Sequence, residues 1–397
     1  MDKIEEVLTR GVEKIYPSKK ALEKLLRSGK KIRVYQGFDP SMPNLHLGNT
    51  VGILKLRQFQ ELGHEVIFLV GDFTGMIGDP TDKSSVRPRL TREQVLANCK
   101  NWQKQAGRIL QFGGKNPAKI IFNSQWLDKI TFKDLIEITS HFTVQQMIER
   151  DFFQRRIKEK RPIFLHEFLY PVAQAIDCVK LDVDLEIGGT DQTFNMLAGR
   201  TLMKTLRGKE KFVLTVKLLV DAKGKKVGKT AGNALFLNAP AVDMYGGVMS
   251  FPDEVILPAF ELLTTIPLEE IERMKKRLKD QKTNPMDLKK RLAFEIVKMH
   301  HGKEKAKEAE EEFEKVFQKR KLPSKIRCVQ VQKENWSIVD LLIKTGLCQS
   351  RGEAKRLIKQ KAVDIDGQTI QSPKKEVSLK KERIIKVGKK KFLKVTV

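Results

Sequence analysis

Residues 34–49 read VYQGFDPSMPNLHLGN. Val34 to Phe38 has the apolar character of a buried strand, and Asp39, Pro40 and Pro43 end it. His46 then stands at the start of LGNTVGILKLRQFQELG, whose periodicity is helical and stops at Gly63. In such a strand–turn–helix unit the amides near Leu47 and Gly48 sit at a positive helix terminus, where phosphate is favoured. Gly48 has no side chain to keep a flat base or a ribose off the backbone. A histidine alone at this point reads equally well as a cap or a surface group. The loop therefore carries many backbone constraints and little acid, base or nucleophile chemistry.

Working outward, EVIFLVGD is a second strand, LTREQVLANCKNWQKQAGRILQF a helix opened by the capping pattern of Thr91 with Gln94, and KIIFNS and LDVDLEIGG two more strands. The expected fold class is α/β: a Rossmann-like parallel sheet with helices, its ligands gathered beyond the carboxyl ends of the strands. After about residue 240 only amphipathic helices follow, which predicts a separate helical domain. KLPSKIRCVQVQKENW reads as a linker. The tail opens with two helices, capped by Ser337 and by Ser350 with Glu353, and continues with strands AVDID, RIIKVG and KKFLKVTV and a DG turn at 366–367. The expected boundaries are 1–220 for the sheet domain, 221–325 for a loop and the helical domain, 326–335 for the linker and 336–397 for a small α+β module.

The chain has 397 residues and a net charge of +27, a balance that suits a polyanionic partner. From Ser337 to Val397 there are 16 lysines and arginines against 6 acids, so the tail concentrates the excess. A solvated, lysine-rich surface gives the same count. Cys99, Cys178, Cys328 and Cys348 form no C-x-x-C pair, and neither a disulfide framework nor a zinc site is expected. The N-terminus is charged throughout and the longest apolar runs are far too short to span a bilayer, which predicts a cytoplasmic protein.

Two further segments carry polar groups at telling positions. In YPVAQAIDCVKLDVDLEIGGTDQ, Tyr170, Gln174 and Asp177 are spaced by four and three, so a helix turns all three to one side. A solvated helix face would do the same. IGGTDQ ends a strand in two glycines with Asp191 and Gln192 at a following helix start, where Asp191 can hold ribose hydroxyls. GKKVGKT at 224–230 is one residue short of a P-loop, and AGNALFLNAP after it is not helical. A mobile loop presenting Lys226 and Lys229 is the better reading.

Taken together, HLGN, KVGKT and the basic tail resemble the class I aminoacyl-tRNA synthetases, whose corresponding signatures are HIGH and KMSKS. More closely, YQGFDPSMPNLHLG, GDPTDKS, YPVAQAID, GGTDQ and KVGKT, in this order, resemble the bacterial tyrosyl-tRNA synthetases, and the last 60 or so residues resemble their S4-type RNA-binding domain. The resemblance implies activation of L-tyrosine by ATP, with Mg2+ accompanying the nucleotide, and transfer of tyrosine to tRNA(Tyr) by a homodimer whose interface lies near residues 110–165. It implies that Ser41, His46, Lys226 and Lys229 contact the phosphates, and that Gly48, Asn49, Gly189, Asp191 and Thr230 line the ATP site. Tyr35 and Asp177 would meet the substrate phenol. Asp79, Tyr170 and Gln174 would meet its ammonium, with Gln192 beside them. Arg351, Lys355, Arg356 and Lys359 would face RNA, and no resident metal site is implied. Three positions depart from the family pattern: Asn49 stands where HIGH ends in histidine, Ile176 where a tyrosine is common, and KVGKT replaces KMSKS. A tryptophanyl enzyme shares the fold, but an indole offers no hydroxyl to Tyr35 and Asp177. An RNA-binding scaffold that has lost catalysis is opposed by the presence of His46, Lys226, Lys229, Asp79 and Asp177.

Overall fold

The computed structural model describes residues 2–81, 89–224, 226–227, 234–318, 326–388 and 391–397. It divides into two compact units, Met1–Lys307 and Glu308–Val397.

The first unit is built on six strands: β1 (Val12–Tyr16), β2 (Arg33–Phe38), β3 (Glu65–Val70), β4 (Lys119–Phe122), β5 (Leu185–Gly189) and β6 (Phe212–Val216), ordered β1-β6-β5-β2-β3-β4. All neighbours run parallel except β1, which lies antiparallel to β6. The sheet's centre is apolar on both faces: Val66 to Val70 are all buried, each large side chain contributing about 1.5–3 kcal/mol relative to exposure. From β2 the chain winds outward through β3 to β4, and from β5 it winds the other way to β6. The order therefore reverses between β2 and β5, and their carboxyl ends open a crevice where such folds bind ligands.

The helix after β2 runs Leu47–Glu61 with His46 at its N-cap. The expected long helix after Thr91 is two, Arg92–Cys99 and Trp102–Ala106, because the Asn101 backbone (φ −107°, ψ 9°) leaves helical geometry. The predicted Thr91–Gln94 capping box is present.

The helices from Ala241–Met249 to Pro285–His301 do not stand as a domain of their own; they belong to the first unit. The buried Arg10 is one reason, donating to the carbonyls of Phe260, Thr264 and Ile266. Lys55, in the helix after β2, ties the same corner by donating to the carbonyls of Val7 and Arg10. Among the described residues no helix is long and apolar enough to cross a membrane.

In the second unit, 326–335 is not a linker. Arg327–Gln330 is a strand (β7) paired in parallel with the last strand, and Val331 after it is buried. The remaining strands are β8 (Asn335–Ser337), β9 (Val363–Ile365), β10 (Gln368–Thr369), β11 (Glu376–Ser378), β12 (Arg383–Val387) and β13 (Lys391–Thr396). They form a five-stranded sheet ordered β10-β9-β12-β13-β7 and a β11-β8 pair. Helices Ile338–Lys344 and Arg351–Lys359 pack Leu341, Leu342 and Ile358 into the same core as Val363, Ile385 and Leu393. The DG turn between β9 and β10 has both residues at positive φ, +50° and +83°, as a type I′ hairpin requires.

Candidate active site

The expected strand–turn–helix forms as read. β2 delivers Tyr35 at its centre and Asp39 just past its end, and the following loop is pinned from elsewhere in the chain: Leu47 N–H donates to the Leu235 carbonyl and Leu237 N–H to that of Leu45, both at 2.8 Å. The described segment around Leu235–Leu237 is thereby laid against HLG, although some 190 residues separate them. Asn49 has a role here. Its Oδ1 accepts from the His46 N–H at 2.9 Å, closing the N-terminus of the helix. A β-carbon at position 48 would stand 3.0 Å from the His46 ring, so Gly48 lets that ring lie over the first turn.

One cleft at the β2/β5 crevice is lined by Tyr35, Ser41, His46, Gly48, Asn49, Asp79, Tyr170, Gln174, Asp177, Gly189, Asp191, Gln192 and Lys226. Every described residue of the expected ATP and tyrosine sites is in it. Lys229 and Thr230 lie outside the described residues, as does the end of GDPTDKS.

Tyr170, Gln174 and Asp177 project from one side of the Leu165–Leu181 helix, and hydrogen bonds hold them in a network. The Tyr170 hydroxyl donates to Asp39 at 2.8 Å, and Thr74 donates to the other oxygen of Asp39 at 2.7 Å. Asn123 bridges Thr74 and Asp177, at 3.1 and 3.2 Å. Trp126 Nε1 donates to Asp177 at 2.8 Å. Burial pushes the Asp177 carboxyl well above the usual carboxylate range, opposed by the Asn123 and Trp126 donors, which favour its charged form. Asp79 is gripped at both oxygens: Thr81 donates to one through its N–H and hydroxyl, at 3.0 and 2.6 Å, and Gln192 to the other at 2.7 Å.

Beneath this layer Tyr35 and Gln174 rest on two residues that the sequence reading did not name, Glu186 and Lys211. Tyr35, 1% exposed, donates to Glu186 Oε1 at 2.6 Å, and Gln174 Nε2 donates to the same oxygen at 2.8 Å. The other oxygen of Glu186 pairs with Lys211, which is wholly buried. Cys178 Sγ lies 3.0 Å from both the Tyr35 hydroxyl and Lys211 Nζ, and burial pushes its thiol up to about 12, leaving it inert. An acid inside LDVDLEIGG and a lysine ahead of FVLTV were the available signals. Each alone reads as a solvated strand end.

At the mouth, Lys226 Nζ meets Asp191 Oδ2 at 2.7 Å. Among the described residues, no group of three or more His, Cys, Asp or Glu stands close enough to hold a metal ion.

Residues 27–318 match the family model of class I tRNA synthetases (W and Y), and residues 312–395 match the tyrosine–tRNA ligase SYY-like C-terminal domain. The chain is similar to the tyrosine–tRNA ligase of Thermotoga maritima, 44% identical over 98% of this chain and 96% of that protein, and to that of Aquifex aeolicus, 42% identical over 98% and 97%. Its fold is that of a C-terminally truncated mitochondrial tyrosyl-tRNA synthetase from Aspergillus nidulans (TM-score 0.66, 22% identity, 79% of this chain and 94% of that one). The Archaeoglobus fulgidus tyrosyl-tRNA synthetase shares it too (TM-score 0.59, 20% identity, 78% and 100%). A sheet that reverses at the cleft, the polar groups collected there and these matches along nearly the whole length agree: the chain belongs to the class I tRNA synthetases of the W and Y family.

Proposed function

We infer that this chain is a tyrosine–tRNA ligase, which joins L-tyrosine to ATP as tyrosyl-adenylate with release of pyrophosphate and then passes the tyrosine to the 3′ end of tRNA(Tyr). The observation that carries the choice of amino acid is the polar floor of the cleft. Asp177 and Tyr35 are buried there, and beyond their bonds to Trp126, Asn123 and Glu186 each keeps hydrogen-bonding capacity that a phenylalanine ring would leave unmet, which costs more than a missing methylene.

Neither step needs a protein nucleophile. The tyrosine carboxylate attacks the α-phosphorus, the bond to the bridging oxygen breaks, and pyrophosphate leaves, so the protein supplies position and charge. Ser41, His46, Lys226 and Lys229 act on the phosphates, Gly48 and Asn49 border the adenosine, and Gly189, Asp191 and Thr230 complete the nucleotide site. Asp79, Tyr170 and Gln174 receive the ammonium, with Gln192 steadying Asp79. Mg2+ arrives on the ATP phosphates and no step here is routed through it.

The domain reading that goes with this is a catalytic body followed by an RNA-binding tail. Lys355, Arg356 and Lys359 are exposed along the Arg351–Lys359 helix, and Arg351, paired with Asp340, is exposed beside them. Their charges suit RNA phosphates. A second copy of the chain covers the helices around residues 110–165, a stretch in which Phe132 and Leu165 are each 79% exposed and Val144 69%, large apolar side chains of the kind an interface covers. The enzyme works in the cytoplasm. Labelled tyrosine, ATP and bulk bacterial tRNA test the whole reading: acid-precipitable tyrosine should accumulate, and charging with tryptophan instead would overturn it. For the dimer, Phe132→Asp with Leu165→Asp should halve the mass seen in sedimentation, and an unchanged mass would contradict it.

A further inference from the structure

The Trp102–Ala106 helix has two different sides. The inner one belongs to the cleft: Trp102 is part of the cleft wall, and Gln105 accepts from the Leu45 N–H at 2.8 Å and donates to Asn44 at 3.0 Å, bracing the loop that leads into HLG. The outer one is open to solvent. There Lys100, Lys104 and Arg108, four residues apart, line one shallow depression together with Gln103, Gln111 and Phe112.

Among the described residues no acid lines this depression. The three cations are exposed and none of them pairs with a carboxylate there, whereas Arg57, Arg92 and Lys119 from neighbouring elements each do. Two histidines within reach of Arg108 sense the same field. Burial first, then positive neighbours lower the pKa of both: His301 and Arg108 act on His300, and Lys305 and Arg108 on His301. No carboxylate opposes them. The chain has 49 acidic residues, yet it leaves this patch without a counter-charge of its own.

The ligand chemistry that fits is an extended polyanion. A compact anion is held by donors that converge on it and exclude water, and three cations strung along an open surface do not converge. A nucleic-acid backbone meets them one after another, and release of its counterions supplies the free energy. Phe112, partly exposed beside them, offers a ring face to an unpaired base. The position suits RNA as well, because the same helix forms part of the cleft that the 3′ end of a tRNA has to enter.

We propose that Lys100, Lys104 and Arg108 form an RNA-binding surface on the catalytic body, separate from the basic tail, which holds tRNA phosphates close to the end that enters the cleft. This rests on the reading of the chain as a tRNA ligase.

The test compares two triple variants, with thermal melts to show that each folds. The first replaces Lys100, Lys104 and Arg108 by alanine. The second removes the same charge at the opposite edge of the sheet, around β1, by replacing the exposed Lys14, Lys20 and Lys24. Filter binding of bulk bacterial tRNA over a range of salt, KM for tRNA in tyrosine charging, and ATP–pyrophosphate exchange are measured for each.

The first variant should raise KM for tRNA at least about 10-fold near 0.1 M salt and flatten the dependence of log Kd on log salt by about 2 to 3 units, one for each phosphate released. Its exchange rate should stay within about twofold of the wild type. The second should keep KM for tRNA within about twofold. An unchanged KM and salt slope in the first variant overturns the proposal, and so do equal losses in both, which would mean that net charge alone is at work. If the first variant does not fold, glutamine at the same three positions takes its place with the same expectations. A wild type that binds tRNA but attaches no tyrosine would sink the ligase reading, while the filter-binding comparison of the two variants would still decide on the surface.

Discussion

Lys226 Nζ lies 2.7 Å from Asp191 Oδ2, so the lysine assigned to pyrophosphate and the carboxylate assigned to ribose hold one another across the mouth of the cleft. In the proposed reaction ATP would part them, and the ion pair holds the lysine at the proposed nucleotide site. Lys226→Ala should lower kcat for tyrosine activation by about 10²-fold while the Kd for tyrosine stays within about twofold, since the ammonium it removes acts on the leaving group. Stopped-flow tyrosine fluorescence separates the two quantities. A variant that binds tyrosine poorly but reacts at the normal rate would contradict the assignment.

Asp177 is held by Trp126 and Asn123 at 2.8 and 3.2 Å, with burial working against its charge. Asp177→Ala should reduce kcat/KM for tyrosine by at least about 10³-fold, because it removes a hydrogen-bonding carboxyl from the buried floor. The far-ultraviolet circular dichroism should be unchanged. Near-normal activity would show that the phenol lies elsewhere.

His300 is 2% exposed and, among the described residues, neither ring nitrogen has a hydrogen-bond partner. Burial first, then the neighbouring His301 and Arg108 charges, lower its pKa from 6.5 to about 4. The folded pKa lies below the unfolded one, so the unfolded chain takes up the proton first. Stability is then full above pH 6.5 and is lost as the pH falls toward 4. Between pH 7 and 5 the loss from this group is about 2 kcal/mol. Urea melts of His300→Phe should show that part of the acid sensitivity removed, and an identical pH dependence in both proteins would contradict it.

The exposed cations of the Arg351–Lys359 helix should act on tRNA alone. Replacing Lys355, Arg356 and Lys359 by alanine should raise KM for tRNA and flatten its dependence on log salt by about 2 to 3 units, one for each phosphate no longer neutralised. Exchange of ATP with pyrophosphate needs no tRNA and should not change. A fall in exchange would mean that the helix serves the cleft.

Much of this was legible in the sequence because the fold repeats one simple unit. Apolar runs such as VIFLV become buried parallel strands, and Gly63 and the Thr91–Gln94 box end and begin helices where they stand. The residues of the cleft were legible because their motifs occur together and in order. What stayed hidden depends on interactions between distant segments. Arg10 reads as a surface residue until the carbonyls of Phe260 and Thr264 close around it, and with it goes the expectation of a separate helical domain. Arg327–Gln330 looks like a linker because the strand it joins arrives more than 60 residues later. Glu186 and Lys211 are unremarkable as letters, and only the pairing of β5 with β6 brings them under Tyr35.

The central claim is that this cleft activates tyrosine and no other amino acid. Pyrophosphate exchange into ATP, measured without tRNA for each of the twenty amino acids in turn, tests it most directly. The account predicts exchange with tyrosine alone, phenylalanine and tryptophan giving at most traces. Exchange driven by tryptophan, or by none of the twenty, would contradict it.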